Sequence, residues 1–242
     1  MKIKFVAVLA VLVAVLNSCG EQPSGEANAM IDDAADSAAV AAQTQEQSDS
    51  SLVFWSMTDS IAKLKFDEVS FEISKLLIEG EYNESIIIGE DSMNVFMEMS
   101  TNLEGQAIAV LTSELTDIQL FQSYETSVTI MNEGPHCDLL DWKHYRSDWK
   151  ELTRNCFGDF IAASYDEAER QKFVEVSIEE LKEAIVYYCD DDWAKHAASV
   201  KGPYDYPAGV NINKYFLKLT GKNEKTGKPV TKIISFEAAM GC

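Results

Sequence analysis

Twelve consecutive apolar residues near the N-terminus, at positions 5–16, set the first limit on how this chain can fold. As a helix they would extend about 18 Å, which is too short to cross the ~30 Å hydrocarbon core of a membrane. Lys2 and Lys4 precede the run and small residues follow it, which is the three-part pattern of an export signal. Such a leader is removed, so residues 1–18 are set aside and the fold must be built from the rest of the chain.

The end of the leader, Leu16-Asn17-Ser18-Cys19, resembles the lipobox of bacterial lipoproteins. The resemblance implies that Cys19 becomes the first residue of the mature protein and carries acyl chains such as palmitate. Because each buried methylene group contributes about 0.8 kcal/mol, several chains on one cysteine hold a soluble domain durably at a bilayer. Gly20 stands where an aspartate often retains such proteins in the inner membrane, which implies an outer-membrane location on either face. The alternative is an ordinary signal peptide with Cys19 as a spare thiol.

An acidic segment, residues 19–51, follows the leader. Residues 20–50 contain seven acids and no aromatic residue, and no Lys or Arg occurs between positions 5 and 62. A segment of this composition cannot bury enough apolar surface to offset the entropy of ordering, so we expect a disordered tether. The remaining residues, 52–242, suffice for a single globular domain with its own core.

The net charge of −20 limits the classes of partner. Nucleic-acid binding requires clustered cations that displace counterions, so the charge excludes a nucleic-acid-binding protein. The same charge repels anionic lipid headgroups, which leaves the lipid on Cys19 as the predicted membrane contact. The expected further partner is an envelope protein or a glycan.

Four cysteines remain after Cys19, an even number that permits disulfides in an exported domain. They are Cys137, Cys156, Cys189 and Cys242. Of the three possible pairings we favour Cys137 with Cys156 and Cys189 with Cys242, because a cysteine at the last residue can fasten that end. No two have the CxxC spacing of a zinc or redox site, and four separate buried thiols are the alternative.

The 52–242 domain is predicted to be α+β, with an antiparallel β meander packed with two or more helices and a C-terminal β-hairpin. Alternating or β-branched runs at 84–89, 93–99, 106–112, 117–121 and 125–131 indicate the meander. Residues 66–80 fit either a helix or a strand, and we favour the helix. Tyr215, Leu217 and Leu219 alternate before a turn at 221–228, and apolar residues return up to Phe236, which predicts the hairpin.

Two further helices are predicted from residue spacing. After Pro135, apolar residues recur at spacings of three and four: Leu139, Trp142, Tyr145, Trp149, Leu152 and Cys156. This stripe of the 132–156 segment is predicted to pack on the meander, whereas an exposed stripe would stack on sugar rings or anchor another protein. Ser177 and Glu180 form an S-x-x-E capping box that begins the next helix, which is extended less firmly toward Gly202.

The ligand-binding residues are predicted from aromatic density alone. They are Trp142, Tyr145 and Trp149 of the 132–156 segment, and Tyr204 and Tyr206 of the loop at 202–209. Pro203 and Pro207 stiffen this loop. We interpret it either as a recognition loop or as a covered connection between two elements.

The three histidines provide the alternative function. His136, Asp141, His144 and His196 could together hold zinc or iron, since imidazole and carboxylate suit both metals, and would make the protein a metal-assisted hydrolase. Against this, helix geometry places His144 on the solvent side, and the sequence lacks H-E-x-x-H, G-x-S-x-G, phosphate-loop and EF-hand motifs. We therefore expect a lipid-anchored envelope protein that binds or scaffolds, with no catalytic residues and no cofactor.

Overall fold

Strands dominate the protein. The computed structural model describes residues 61–78, 86–99 and 101–238, of which strands take up 44% and helices 14%. The predicted α+β fold class is wrong, because these residues form two β-sheets with three short helices. No helix in the three ranges has the length and hydrophobicity that a membrane crossing requires.

The strands and helices follow one another in this order. The first strands are β1 (Ile61–Lys65), β2 (Ser70–Ser74), β3 (Ile86–Ile88), β4 (Ser92–Phe96), β5 (Ala107–Leu111) and β6 (Leu115–Met131). Four short strands come next, β7 (His136–Asp138), β8 (Tyr145–Arg146), β9 (Lys150–Glu151) and β10 (Phe160–Ile161). The chain continues with helices α1 (Glu167–Arg170), α2 (Ile178–Tyr188) and α3 (Asp191–His196), a 3₁₀ turn (Ala197–Ser199), and strands β11 (Ala208–Asn223) and β12 (Pro229–Glu237).

The first sheet is antiparallel and has the strand order β1-β2-β5-β10. Its buried face follows from alternation: Leu64 pairs with Phe71, Ile73 pairs with Ile108, and all four side chains are buried. The predicted helix over 66–80 is therefore wrong, since β2 lies within it. That segment satisfies both periodicities, and pairing with β1 and β5 decides in favour of the strand.

The second sheet is mixed and is built on two long antiparallel strands, β6 and β11. Its order is β3-β4-β12-β11-β6-β7, and β8 and β9 also pair with β6. Strands β11 and β12 form the C-terminal hairpin that the sequence predicts. The predicted meander has the wrong connectivity, because β4 pairs in parallel with β12 and β5 belongs to the first sheet.

The predicted helix over 132–156 is also wrong. Its residues form β7, β8 and β9, which pair along the 17-residue strand β6. On the edge of β6 that does not pair with β11, the backbone N–H and C=O groups need hydrogen-bond partners. The three short strands supply these partners, whereas a helix in their place would leave the groups unpaired. Leu139 and Leu152, which the helical stripe would place on one face, belong to two different hydrophobic clusters.

Helix α2 begins where the sequence predicts it. Ser177 Oγ accepts a hydrogen bond from the Glu180 N–H at 3.1 Å, and the Glu180 carboxylate accepts one from the Ser177 N–H at 2.9 Å. This reciprocal capping box satisfies two N–H groups at the start of the helix. The helix ends at Tyr188 and does not continue toward Gly202, because the Asp190 carboxylate caps the separate helix α3.

Two clusters of buried apolar side chains form the core. The larger cluster contains residues of both sheets, such as Phe71 and Phe236, and the smaller one joins α2 to the ends of β6 and β11, with Leu181 and Ile130 among its members. Contacts across these clusters bring distant parts of the chain together. In the smaller cluster they bring Cys137 and Cys189 together.

The Cys137–Cys189 disulfide links β7 to the end of α2 beside the smaller cluster. The expectation of a disulfide is confirmed. Both predicted pairings are wrong, because the fold places Cys137 of β7 against Cys189 at the end of α2, and not against Cys156. Cys156 is disulfide-bonded as well. The leader, the tether, Cys19 and Cys242 lie outside the described residues.

One buried lysine connects the two sheets. Lys232 lies on β12, and its side chain is 5% exposed. Its ammonium group is 2.7 Å from the Asp91 carboxylate, just before β4, and 2.9 Å from the Glu68 carboxylate, between β1 and β2. Burial alone lowers the pKa of Lys232, but hydrogen bonds to Asp91 and Glu68 outweigh it and raise that pKa above its ordinary value.

Candidate functional site

The structure does not assemble the predicted metal site. The three histidines have separate neighbours: His136 Nδ1 lies 3.0 Å from Asp138 Oδ2, His144 Nδ1 lies 4.0 Å from Glu125 Oε1, and His196 Nε2 lies 2.8 Å from the Met131 carbonyl oxygen. Asp141 is exposed. Within the described ranges, no group of three or more His, Cys, Asp or Glu side chains could hold a metal ion.

Two of the predicted ligand-binding aromatics pack inward. The Trp142 ring is half-buried with its centroid 6.1 Å from that of Phe173. Tyr145 is half-buried with its centroid 6.1 Å from that of the buried Tyr124. These contacts make both residues part of the packing around the two clusters. The other three predicted aromatics lie on two surfaces.

Tyr204 and Tyr206 lie on the first surface and are 56% and 69% exposed. Beside Tyr204 is a groove of about 540 Å³, lined by Phe173, Val174, Glu175, Val176, Ser177, Pro203 and Tyr204. In the described part of the chain, no hydrogen bond reaches a backbone N–H or C=O group of residues 173–176. The groove therefore offers unpaired main-chain groups next to apolar side chains, an arrangement suited to an extended peptide.

The second surface is the side of the second sheet that faces away from the larger cluster. Tyr215 and Leu217 of β11 point into that cluster, so the alternate residues Lys214, Phe216 and Lys218 point to the opposite side. We call this side the outer sheet face. The register arranges it in three rows across β4, β12, β11 and β6: Phe96-Glu237-Lys214-Glu125, Asn94-Ser235-Phe216-Ser123 and Ser92-Ile233-Lys218-Phe121.

Side chains from the β8–β9 segment lie over the outer sheet face. Arg146 Cζ is 3.3 Å from the ring centroid of Phe216 and 5.4 Å from that of Trp149. Lys218 Nζ is 4.4 Å from the Trp149 centroid and 4.9 Å from the Phe121 centroid. Rings and cations thus alternate from Phe216 to Phe121, and we call these five side chains the cation–π ladder.

Burial shifts the pKa of one cation of the ladder. It lowers the pKa of Arg146, and the nearby Glu125 carboxylate partly opposes this shift. The guanidinium group keeps its charge at physiological pH, because its ordinary pKa lies far above that range. It is therefore a partly desolvated cation on the surface of an acidic protein.

Phe121, Phe216 and Lys218 are candidate functional residues that the sequence analysis missed. The same alternation that predicts a strand from Tyr215 and Leu217 places Phe216 and Lys218 on its other side, and this signal could have found them. The contacts of Lys218 with Phe121 and Trp149 depend on strand pairing and register, which the sequence alone does not provide.

A buried carboxylate lies among the tyrosines of the larger cluster. Glu104, with a side chain 5% exposed, accepts hydrogen bonds from the Tyr215 hydroxyl at 2.7 Å, the Tyr165 N–H at 3.1 Å and the Arg170 guanidinium at 2.6 Å. Burial raises the pKa of Tyr124 to about 12, and it also raises the pKa values of Tyr165 and Tyr215. Because its oxygens are already engaged, Glu104 has a structural role.

Comparison with known proteins identifies no relative of this chain. No protein-family model matches it, and neither a curated protein sequence nor a solved structure matches it at a significant level. The function is therefore argued from the residues and their geometry.

Proposed function

We propose that this protein is exported, is anchored by lipid on Cys19 at the outer membrane, and acts there by binding or scaffolding and not by catalysis. The observation that carries the proposal is the apolar leader with its lipobox-like end at Cys19. The Cys137–Cys189 disulfide supports it, because disulfides persist in oxidising compartments outside the cytosol.

Acylation and location test this proposal directly. We expect intact-mass measurement of protein from its native host to show a chain that begins at Cys19 and carries acyl groups. Membrane fractionation should place this form with the outer membrane, and the Cys19→Ser variant should lack the added mass. An unmodified Cys19, or cleavage after that residue, would contradict the lipid anchor.

The groove beside Tyr204 is the surface that we propose for a protein partner of the envelope. Support comes from the combination of unpaired main-chain groups at 173–176 with the exposed rings of Tyr204 and Tyr206. Main-chain pairing gives affinity for an extended segment, and side-chain pockets give specificity. The partner would therefore contribute an extended segment to the groove.

Site-specific photo-crosslinking in the native host tests this surface. A photoreactive phenylalanine analogue that replaces Tyr204 or Tyr206 should crosslink to one extended segment of one partner. The same analogue in place of Phe157, which is 83% exposed, is the matched control. Equal products from all three positions, or none from Tyr204 and Tyr206, would contradict the groove as the partner site.

A further inference from the structure

We infer that the outer sheet face, with its cation–π ladder, is a second binding site and that its ligand is an acidic polysaccharide. The ladder residues belong to β6, β8, β11 and the segment between β8 and β9, whereas the groove is formed by 173–177 and the loop at 202–209. The inference therefore stands independently of the groove and of the lipid anchor.

The two cations of the ladder are not held in ion pairs. The chain has a net charge of −20, yet among the described residues no carboxylate lies within ion-pair distance of Arg146 or Lys218, whose close partners are aromatic rings. Three acids belong to the face. Glu237 binds Lys214 at 3.2 Å and Asn94 at 2.8 Å, and Glu151, which pairs with Phe121, accepts a hydrogen bond from Gln119 at 3.1 Å. Glu125 lies opposite Arg146, whose charge it partly compensates, and 4.0 Å from His144. An incoming carboxylate or sulfate group would find two cations available to it.

The rest of the face suits a sugar ring. Trp149 and Phe121 are half-buried, so part of each residue remains accessible to the apolar side of a sugar. Ser235 and Asn94, hydrogen-bonded to each other at 2.5 Å, provide polar groups for sugar hydroxyls in the adjacent rows. A few fixed polar groups among aromatic rings are typical of small-ligand sites.

The main chain under the face argues against a peptide ligand. The backbones of β4, β12, β11 and β6 are paired with one another in the sheet. An extended peptide would find no free main-chain partner there, while a polysaccharide binds through side chains. The planar guanidinium group of Arg146 can take a sugar carboxylate at two points.

Titration calorimetry with matched polymers tests the inference on the full chain in detergent. The pairs are polygalacturonate with its methyl ester, and dextran sulfate with dextran, so each pair differs in charge. We expect at least one anionic polymer to bind, more weakly as salt increases, and neither neutral polymer to bind. A preference for one of the two anionic polymers would show whether the site recognises a carboxylated or a sulfated polysaccharide.

Two variants locate the binding. Arg146→Gln and Lys218→Gln should each weaken the anionic polymer's affinity by about tenfold or more, because each removes a charge-assisted contact. Lys195→Gln, which removes an exposed cation of α3, should leave it unchanged. Circular dichroism melting checks folding, and if Arg146→Gln loosens the fold, Lys218→Gln decides.

Three results would overturn the inference. They are equal binding of the charged and neutral polymers, binding of neither anionic polymer, and unchanged affinity in both variants. Preference for vesicles that contain phosphatidylglycerol over both anionic polymers would overturn it too, because the face would then bind a lipid surface.

Discussion

Glu104 is a buried carboxylate that joins two distant segments of the chain to its own. It accepts hydrogen bonds from Tyr215 of β11 and from Tyr165 and Arg170 around α1. Glu104→Ala should lower the free energy of unfolding by about 3 kcal/mol, because the guanidinium and the hydroxyl lose their buried acceptor. Urea unfolding measures this change.

The matched control is Glu114→Ala. Glu114 binds Lys225 at 3.3 Å in an exposed ion pair, and its removal should cost less than about 1 kcal/mol. Equal losses in the two variants would show that Glu104 is no more than a surface charge.

The buried tyrosines determine how the protein responds to alkali. A tyrosine in the unfolded chain has a pKa of ~10, whereas burial raises the pKa of Tyr124 to about 12 and also raises those of Tyr165 and Tyr215. The folded state binds these protons more tightly, so their contribution to stability is complete below pH ~10 and falls as the pH rises above it. The share of Tyr124 is lost by about pH 12, whereas the shares of Tyr165 and Tyr215 persist to higher pH. We expect the urea midpoint to fall across this range and the fall to be smaller in Tyr124→Phe. A midpoint that stays constant up to pH ~12 would refute this.

Among the elements, helix α2 and strand β7 are held together by the Cys137–Cys189 disulfide. The bond closes a loop with a sequence separation of 52, and the chain-entropy account assigns such a loop about 4 kcal/mol. The double variant Cys137→Ala/Cys189→Ala should lose about this much free energy of unfolding in urea. Unlike a reducing agent, it leaves the bond at Cys156 intact.

Ser177→Ala is the comparison for the disulfide variant. It removes the cap of α2 and should cost about 1 kcal/mol without touching the crosslink. A double variant no less stable than Ser177→Ala would mean that the disulfide adds little to the fold.

Short-range patterns in the sequence correctly predicted those elements whose conformation is decided by a few neighbouring residues. The capping box of Ser177 and Glu180 placed the start of α2, and the alternation from Tyr215 placed the hairpin. The 132–156 spacing suggested a helix because the deciding interaction, pairing with β6, comes from a different part of the sequence. The same reason hid the outer sheet face, since Lys218 and Phe121 meet only through the register of β11 on β6.

For the whole molecule, β6 and β11 determine cooperativity, because each strand passes through both hydrophobic clusters. In β6, Leu120 belongs to the larger cluster and Val128 to the smaller one. Neither cluster can unfold without disrupting strands that the other needs, so we expect one transition. Far-ultraviolet circular dichroism and tryptophan fluorescence should give coincident urea curves, and Val128→Ala should shift both equally. Two separated curves would contradict this coupling.

Lys232 has a consequence for the alignment of the two sheets. Acids outnumber bases by 40 to 20, yet this base is enclosed, with one carboxylate partner from each sheet. An ion pair is strong only while its charged groups stay within a few ångströms of each other, so the contact between Lys232 and Glu68 weakens if one sheet shifts relative to the other. Lys232 therefore ties the first sheet to the second at one charged point, in addition to the apolar contacts of the larger cluster.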